Sequence, residues 1–403
     1  MGCAARNRRR IMSAIDVAPV PVDELRENHS RKWTAFEPDV VPAWIADMDF
    51  YPPQEVVEAV QRVADSGVYG YSNIPGELPA RFAEFTDRRF GWNISAEHVV
   101  PVIDLVQAVT ATLLALSAPG SGVVLCTPSY PPLIAAIEAT KRRMVDVRLP
   151  DGAAGDAETL AELDRAFASP DVGVFIFCNP HNPTGRVYDE KFLRDLSALA
   201  VKHDVIVISD EVHCDIVHDG ASFNPMARLD LGETPKIISL HSATKSFNLG
   251  GLRCGVMHFN SPALLQQFFD VIPPKLLGTV SNVGAAATIA AWGSDDEWLA
   301  SVLEKLSAQR AVVSAWAAKH PALRATVPSG TYFSWLDFSA YGLETTASQF
   351  LHDEARVALN PGETFGTGLE PFARLNFATS TENLQEILDR ISAALERWSA
   401  RGL

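Results

Sequence analysis

The chain has no apolar run of the roughly 18 residues that a transmembrane helix needs, so no membrane span is expected. It is short of cysteine: Cys3, Cys126, Cys178, Cys214 and Cys254 are scattered, odd in number, and form no C-x-x-C pair. That argues against a disulfide framework and fits a reduced, cytoplasmic compartment. Positive charge is also scarce. Lys and Arg number 34 against 49 Asp and Glu, for a net charge of −15 and a pI near 5.1. An acidic balance argues against nucleic acid or an anionic membrane as the main partner. The basic start "MGCAARNRRRIMSAIDVAP" is followed by no apolar segment of the secretory kind. Residues 1–14 are read as a disordered leader, with Met12 a second candidate start.

What is present is ordinary for a globular protein: 403 residues, 47% hydrophobic and 21% charged. That length exceeds one ordinary core and suits a large domain plus a smaller one. From about Gly120 to Phe259, short apolar runs ("GVVLCTP", "VGVFIFCNP", "DVIVISDE", "KIISLHS", "CGVMHF") alternate with helix-like segments such as "DEKFLRDLSALAVKH". This alternation predicts an α/β layer with a buried, mostly parallel sheet. The C-terminal part reads as α+β: a long helix from about Asp295 to Lys319, then "TYFSWLDF", "ARLNFA" and an amphipathic "TENLQEILDRISAALERW". We expect a large domain at 61–293, a small one at 294–403, and an N-terminal segment at 15–60, with "PAWIADMDF", packing on the small one.

In parallel sheets ligands sit beyond the carboxyl ends of the strands, and chemistry gathers there. The runs are followed by "TPSYPP" with Tyr130, "CNPHNPTGR" with Asn182, "SDEVHCD" with Asp210 and His213, and "HSATKS" with Ser242, Thr244 and Lys245. Arg253 stands eight residues after the lysine. Upstream, Asp104 is placed to cap a helix whose first amides, at Leu105 and Val106, would face an anion. Each residue has a plainer reading. Lys245 could be a solvated surface lysine, Asp210 and Asp104 simple helix caps, Asn182 turn chemistry, Tyr130 core, and Arg253 a surface ion-pair partner. Together they match what a phosphorylated pyridine aldehyde requires. A lysine forms a Schiff base, a carboxylate keeps the ring nitrogen protonated, and an amide meets the ring oxygen. An aromatic covers the ring face, while hydroxyls, an arginine and helix amides bind phosphate. His213, Cys214, Asp215 and His218 follow no zinc spacing, and no metal is expected.

The motifs "NPHNPTG", "SDE", "SATKSFNLGGLRCG" and "ARLNFATS" resemble the fold type I pyridoxal-phosphate enzymes of the aspartate aminotransferase superfamily, from about Arg31 onward. The resemblance implies an α/β fold in which helices flank a mostly parallel seven-stranded sheet, beside a smaller α+β domain. It implies pyridoxal 5′-phosphate as cofactor, Lys245 as the Schiff-base lysine and Asp210 as partner of the pyridinium nitrogen. Asn182 would meet the ring 3′-oxygen and border the substrate, Tyr130 would stack, and His213 would line the site. Ser242, Thr244, Arg253, Leu105 and Val106 would surround the phosphate. Arg374 would clamp the substrate α-carboxylate, which Ala46 and Asp47 approach with backbone groups.

Three further stretches, "RKWTAFEPDVVPAWIADMDF", "GVYGYSNIPG" and "DEVH", resemble the cystathionine β-lyase branch, the carbon–sulfur lyases of the MalY/PatB type. Ordinary aminotransferases usually carry Tyr where His213 stands. The branch implies β-elimination from an L-cysteine S-conjugate to a thiol, pyruvate and ammonia. It also implies an obligate homodimer in which Tyr71 reaches the partner's cofactor phosphate. One departure is "PSYPPL": Pro131 replaces a second tyrosine common in the branch, so cystathionine itself is not assumed. An aminotransferase, a tailoring enzyme acting on a large S-conjugate by β-elimination or decarboxylation-coupled deamination, and a partner-binding regulator on the same scaffold are the alternatives.

Overall fold

The computed structural model describes residues 17–150, 155–229 and 235–401; the expected leader, residues 1–14, lies outside them. The first strand, β1 (Val41–Ala43), belongs to the smaller of two sheets. The larger is built from β2 (Val99–Val102), β3 (Gly122–Thr127), β4 (Arg143–Arg148), β5 (Val172–Cys178), β6 (Ile206–Asp210), β7 (Ile237–His241) and β8 (Gly255–Phe259). Their order is β2-β8-β7-β6-β5-β3-β4. Strands β3 to β7 pair in parallel, and β8 runs antiparallel to both of its neighbours. The expected mostly parallel seven-stranded sheet is therefore present.

Strand β5, "VGVFIFC", shows why this sheet lies at the centre. Successive side chains point to opposite faces. Val174 and Ile176 join one core with the helices Leu105–Leu116, Pro131–Ala139 and Pro262–Val271. Phe175 and Phe177 join a second core with the helices Asp156–Phe167 and Glu190–Lys202. With helices on both faces, neither face can be polar, and the strand reads as an unbroken apolar run.

The smaller sheet adds β9 (Arg324–Ala325), β10 (Phe333–Asp337), β11 (Val357–Pro361) and β12 (Phe372–Asn376), in the order β1-β11-β12-β10-β9. Here β1 pairs in parallel with β11, Val41 opposite Val357. The last helix, Thr381–Ala400, opens where Ser380 Oγ accepts from the Asn383 amide at 3.1 Å. Its Leu384, Ile387, Leu388, Ile391, Leu395 and Trp398 recur at helical spacing and bury one face in a third core.

Between β1 and the helix Gln54–Ser66 the chain runs as a strap, residues 44–50, without helical bonds of its own. Its carbonyls must therefore find other donors. Trp44 O accepts from Arg374 Nη2 (2.9 Å), and Ile45 O and Asp47 O from Asn376 Nδ2 (2.7 and 2.8 Å). Ala46 O accepts from Lys245 Nζ (3.0 Å) and Tyr332 Oη (2.9 Å), and Met48 O from Asn248 Nδ2 (2.7 Å). Asn248, at φ 58°, occupies the left-handed region that asparagine tolerates, and its Oδ1 accepts from Met48 N at 2.9 Å. The far end of the strap is anchored by charge. Lys32 Nζ lies 2.8 Å from Asp49 Oδ2, Trp33 Nε1 donates to Asp49 Oδ1 at 3.0 Å, and both ions are almost fully buried.

Removing one member of a buried ion pair strands the other charge. Lys32→Met is expected to lower the unfolding free energy by about 3 kcal/mol or more in urea denaturation, and a loss under ~1 kcal/mol would contradict the anchoring role.

Candidate active site

The carboxyl ends of the parallel strands open onto a cavity of about 410 Å³. Because β8 is antiparallel, its beginning lies at this same edge and brings Arg253 with it. The cavity is lined by Ala46, Leu105, Val106, Tyr130, Asn182, Asp210, His213, Ser242, Thr244, Lys245 and Arg253. These are eleven of the residues that the sequence singled out. Arg374 adjoins them through Asn182, its Nη1 donating to Asn182 Oδ1 at 2.7 Å.

One end of the cavity suits an anion. Asp104 caps the helix Leu105–Leu116 by accepting from the Gln107 amide at 2.7 Å, and its carbonyl takes the Ala108 amide at 3.2 Å. The first amides, of Leu105 and Val106, have no partner within the helix. Arg253 pairs with Asp104 Oδ2 at this helix mouth. Arg253 adopts φ 54°, which turns the chain sharply into β8. Gly255 lets β8 come close: a Cβ there would sit 2.8 Å from Leu105 Cδ2. Ser242 Oγ donates to Cys254 O (2.6 Å) and accepts from Thr244 N (3.1 Å), which ties the lysine's turn to the start of β8.

The floor carries buried charge. Asp210 closes β6, with Oδ1 3.2 Å from the Val212 amide. Burial, joined by the Glu211 carboxylate, outweighs that amide and His241 and pushes the Asp210 carboxyl up to about 6. Lys245 is not a surface lysine. It lies within the cavity wall, where burial favours the neutral amine and Arg374 adds to the effect, while Asp47 and Asp210 favour the ammonium. His213 is buried and held neutral, its basicity driven well below normal by burial and then by Lys245 and Arg374. Its Nδ1 has no hydrogen-bond partner, and its ring makes T-shaped contacts with Tyr332 and Phe333, centroids 5.9 and 5.5 Å away. Arg374 is 1% exposed, lies over the Phe333 ring at 4.1 Å, and keeps Nε unpartnered. Burial draws its basicity down to about 10.

Two expected residues stand apart from the cavity wall. The Asp47 carbonyl is committed to Asn376 at 2.8 Å, on the small sheet. Tyr71 is fully exposed, on a loop with exposed Val68 and Tyr69, and does not border this cavity. The sequence reading missed Tyr332, Asn376 and Asn248, the side chains that orient the strap. Tyr332 carries no periodic or motif signal in "SGTYF". Among the described residues, no three His, Cys, Asp or Glu gather as a metal centre would require.

A sign follows for Asp210. Its folded-state carboxyl binds a proton more tightly than the unfolded one, so folding loses stability as pH rises from about 4 to about 6. Cofactor-free Asp210→Asn is expected to be more stable than the parent above that window, by about 2–3 kcal/mol, and equal to it below, as read from urea midpoints against pH.

Comparison with known proteins adds to this geometry. Cystathionine β-lyase of Corynebacterium glutamicum is 32% identical over 376 residues, covering 93% of this chain and 99% of that one. Cystathionine β-lyase PatB of Bacillus subtilis is 30% identical, covering 89% and 93%. The structure of the PLP-bound C–S lyase from Staphylococcus hominis superposes with a TM-score of 0.84 at 26% identity, covering 95% of this chain and all of that one. The family model described as aminotransferase class I and II matches residues 45–391. The match runs from the strap over the cavity to the final helix, and the chain belongs to the aminotransferase class I and II family.

Proposed function

We propose that this chain is a pyridoxal-phosphate-dependent carbon–sulfur β-lyase, cleaving L-cysteine S-conjugates to a thiol, pyruvate and ammonia. The observation that carries the reading is the convergence of Lys245, Asp210, Asn182 and the open helix amides on one cavity. Curated relatives at 30% identity and above are named cystathionine β-lyases.

The residues fit the cofactor. Leu105, Val106 and Arg253 suit a phosphate. Asn182 accepts from Arg374 through Oδ1, which leaves its amide hydrogens for a ring oxygen. Asp210 is a buried carboxylate that a cationic ring nitrogen would relieve of its desolvation cost. Tyr130 is an aromatic wall, and Ser242 and Thr244 border the phosphate end. Lys245 Nζ would hold the cofactor covalently. When bound, pyridoxal phosphate supplies an aldehyde and a protonated ring that draws off the electron pair left at the substrate Cα.

The chain's own residues then divide the work. Arg374 binds the substrate α-carboxylate with its guanidinium fork, and Ala46 and Asp47 bound the same region. Lys245 Nζ, as a free amine, would take the substrate Cα proton, and its depressed basicity suits that task. Asp210 would hold a proton on the ring nitrogen with its carboxylate. Neutral His213 adds no charge beside the lysine. The β C–S bond breaks with its electron pair leaving on sulfur, the thiolate takes up a proton, and one water converts the remaining fragment to pyruvate and ammonia. Pro131 stands where the branch commonly carries a second tyrosine, so the conjugate is not restricted to cystathionine.

The same reading makes the enzyme a cytoplasmic homodimer with shared sites, Tyr71 serving the partner's phosphate. The exposed Tyr71, Val68 and Tyr69 support it, and no helix among the described residues is long and apolar enough to cross a membrane. It divides the chain into a large domain, 61–293, and a small domain, 294–403, with the segment 15–60 packing on the small one. The β1–β11 pairing supports that packing.

With a panel of small and bulky S-substituted cysteines, purified protein is expected to release pyruvate and thiol in equal amounts. Lys245→Ala is expected to lose turnover at least a thousandfold, and keto-acid-dependent amino transfer without thiol release would overturn the lyase assignment. Mixing inactive Tyr71→Ala and Lys245→Ala subunits is expected to restore part of the activity, since half of the sites in a mixed dimer carry neither change. No recovery after verified subunit exchange would count against shared sites.

A further inference from the structure

Two side chains donate to one backbone oxygen at the centre of the site. Lys245 Nζ lies 3.0 Å from the Ala46 carbonyl oxygen, and Tyr332 Oη lies 2.9 Å from the same atom. A carbonyl oxygen has two lone pairs and can serve both. Each donor draws electron density from the oxygen and weakens it for the other.

Tyr332 is held where it is by backbone rather than by chance. Its phenol is completely buried. It follows Thr331, which sits at φ 69°, a conformation uncommon for a β-branched residue. The Thr331 amide donates to Ile216 O at 2.8 Å, and His218 Nε2 lies 2.8 Å from Thr331 O. The Tyr332 ring meets Phe333 at 4.7 Å and His213 at 5.9 Å. Its position is thus tied both to the turn after β6 and to the start of β10.

We propose that Tyr332 is a positioning residue for Lys245: it keeps the Ala46 carbonyl turned toward the lysine and occupies part of that acceptor, so the amine is placed without being captured. This rests on Lys245 being the cofactor lysine. A lysine in that post must hold the cofactor and, at another stage, carry a free amine that accepts a proton. An ammonium bound to an unshared, buried carbonyl would release its proton poorly. Tyr332 also remains as a donor to Ala46 O whenever Lys245 is engaged elsewhere, so the strap is not released when the lysine moves.

Other groups face Lys245 and stay in place when Tyr332 is changed. Asp47 from the strap and Asp210 from the end of β6 favour the ammonium, and Arg374 from β12 opposes it. His213, from the turn after β6, is neutral through burial, and Tyr130 lies across the cavity. Loss of the Tyr332 hydroxyl therefore hands the whole Ala46 carbonyl to the lysine and favours its charged form.

The test measures the titration of Lys245 in the full-length protein freed of cofactor, by competitive acetylation against pH with peptide mass spectrometry. Tyr332→Phe is expected to raise the apparent pKa of Lys245 by roughly half a unit or more, the worth of one net hydrogen bond. A fluorinated tyrosine at position 332 has the same shape, donates more strongly and is expected to shift it the opposite way. That second protein decides the matter even if Tyr332→Phe folds poorly. A lysine pKa unchanged by both replacements, or shifted in the reverse order, overturns the proposal. Pyruvate release by the loaded proteins is followed in parallel. Parent protein that makes none overturns the lyase reading whatever the lysine titration shows. An unmoved lysine pKa beside normal pyruvate release overturns only the role of Tyr332.

Discussion

An extended segment cannot satisfy its own carbonyls, and the strap at residues 44–50 meets backbone of a bridging segment only at its end, where Pro19 pairs with Phe50. From Trp44 to Met48 its carbonyls are met by side chains, and Asp49 O by the Val20 amide. Arg374, Asn376 and Tyr332 come from the small sheet and its approach, and Lys245 and Asn248 from the turn after β7. The strap thereby joins the two sheets and forms one wall of the cavity. Its buried anchor, Lys32 with Asp49, fixes it from the outside.

The same crowding sets the electrostatics. Asp210, Lys245 and Arg374 are all withdrawn from water, and each is moved toward its neutral form by burial. None is neutralised by a dedicated ion pair of its own. Arg374 spends one nitrogen on Asn182, another on Trp44 O, and leaves Nε unpartnered. Such a site holds unspent polar capacity, which is what binding a zwitterionic amino acid and a phosphorylated cation-forming ring calls for.

Much of this was legible in the sequence, for physical reasons. Strands buried on both faces must be apolar throughout, so β3, β5, β6 and β7 announced themselves, and the topology of parallel sheets then pointed to Tyr130, Asn182, Asp210 and Lys245 at their ends. Asp104 was recognisable because capping has a local signature. What local pattern does not carry is pairing at a distance. Tyr332 acquires its meaning only when Ala46 lies beside it, and these are 286 residues apart. Arg253 read as an anion ligand or as an ion-pair partner, but its carboxylate, Asp104, lies 149 positions away and no local pattern names it. Tyr71 stands fully exposed outside the cavity of its own chain, a placement that no local pattern announces.

The parallel pairing of β1 with β11 has a consequence for the order of events during synthesis. Ala46 leaves the ribosome early and Arg374 late, with 330 residues between Trp44 and the arginine that holds it. The large sheet can form while the strap still lacks Tyr332, Arg374 and Asn376. Closure of so long a loop is a slow, non-local event. The nascent chain therefore has a half-walled cavity until β12 is made, and a message truncated before it would lack Arg374 and Asn376, the donors that hold Trp44, Ile45 and Asp47.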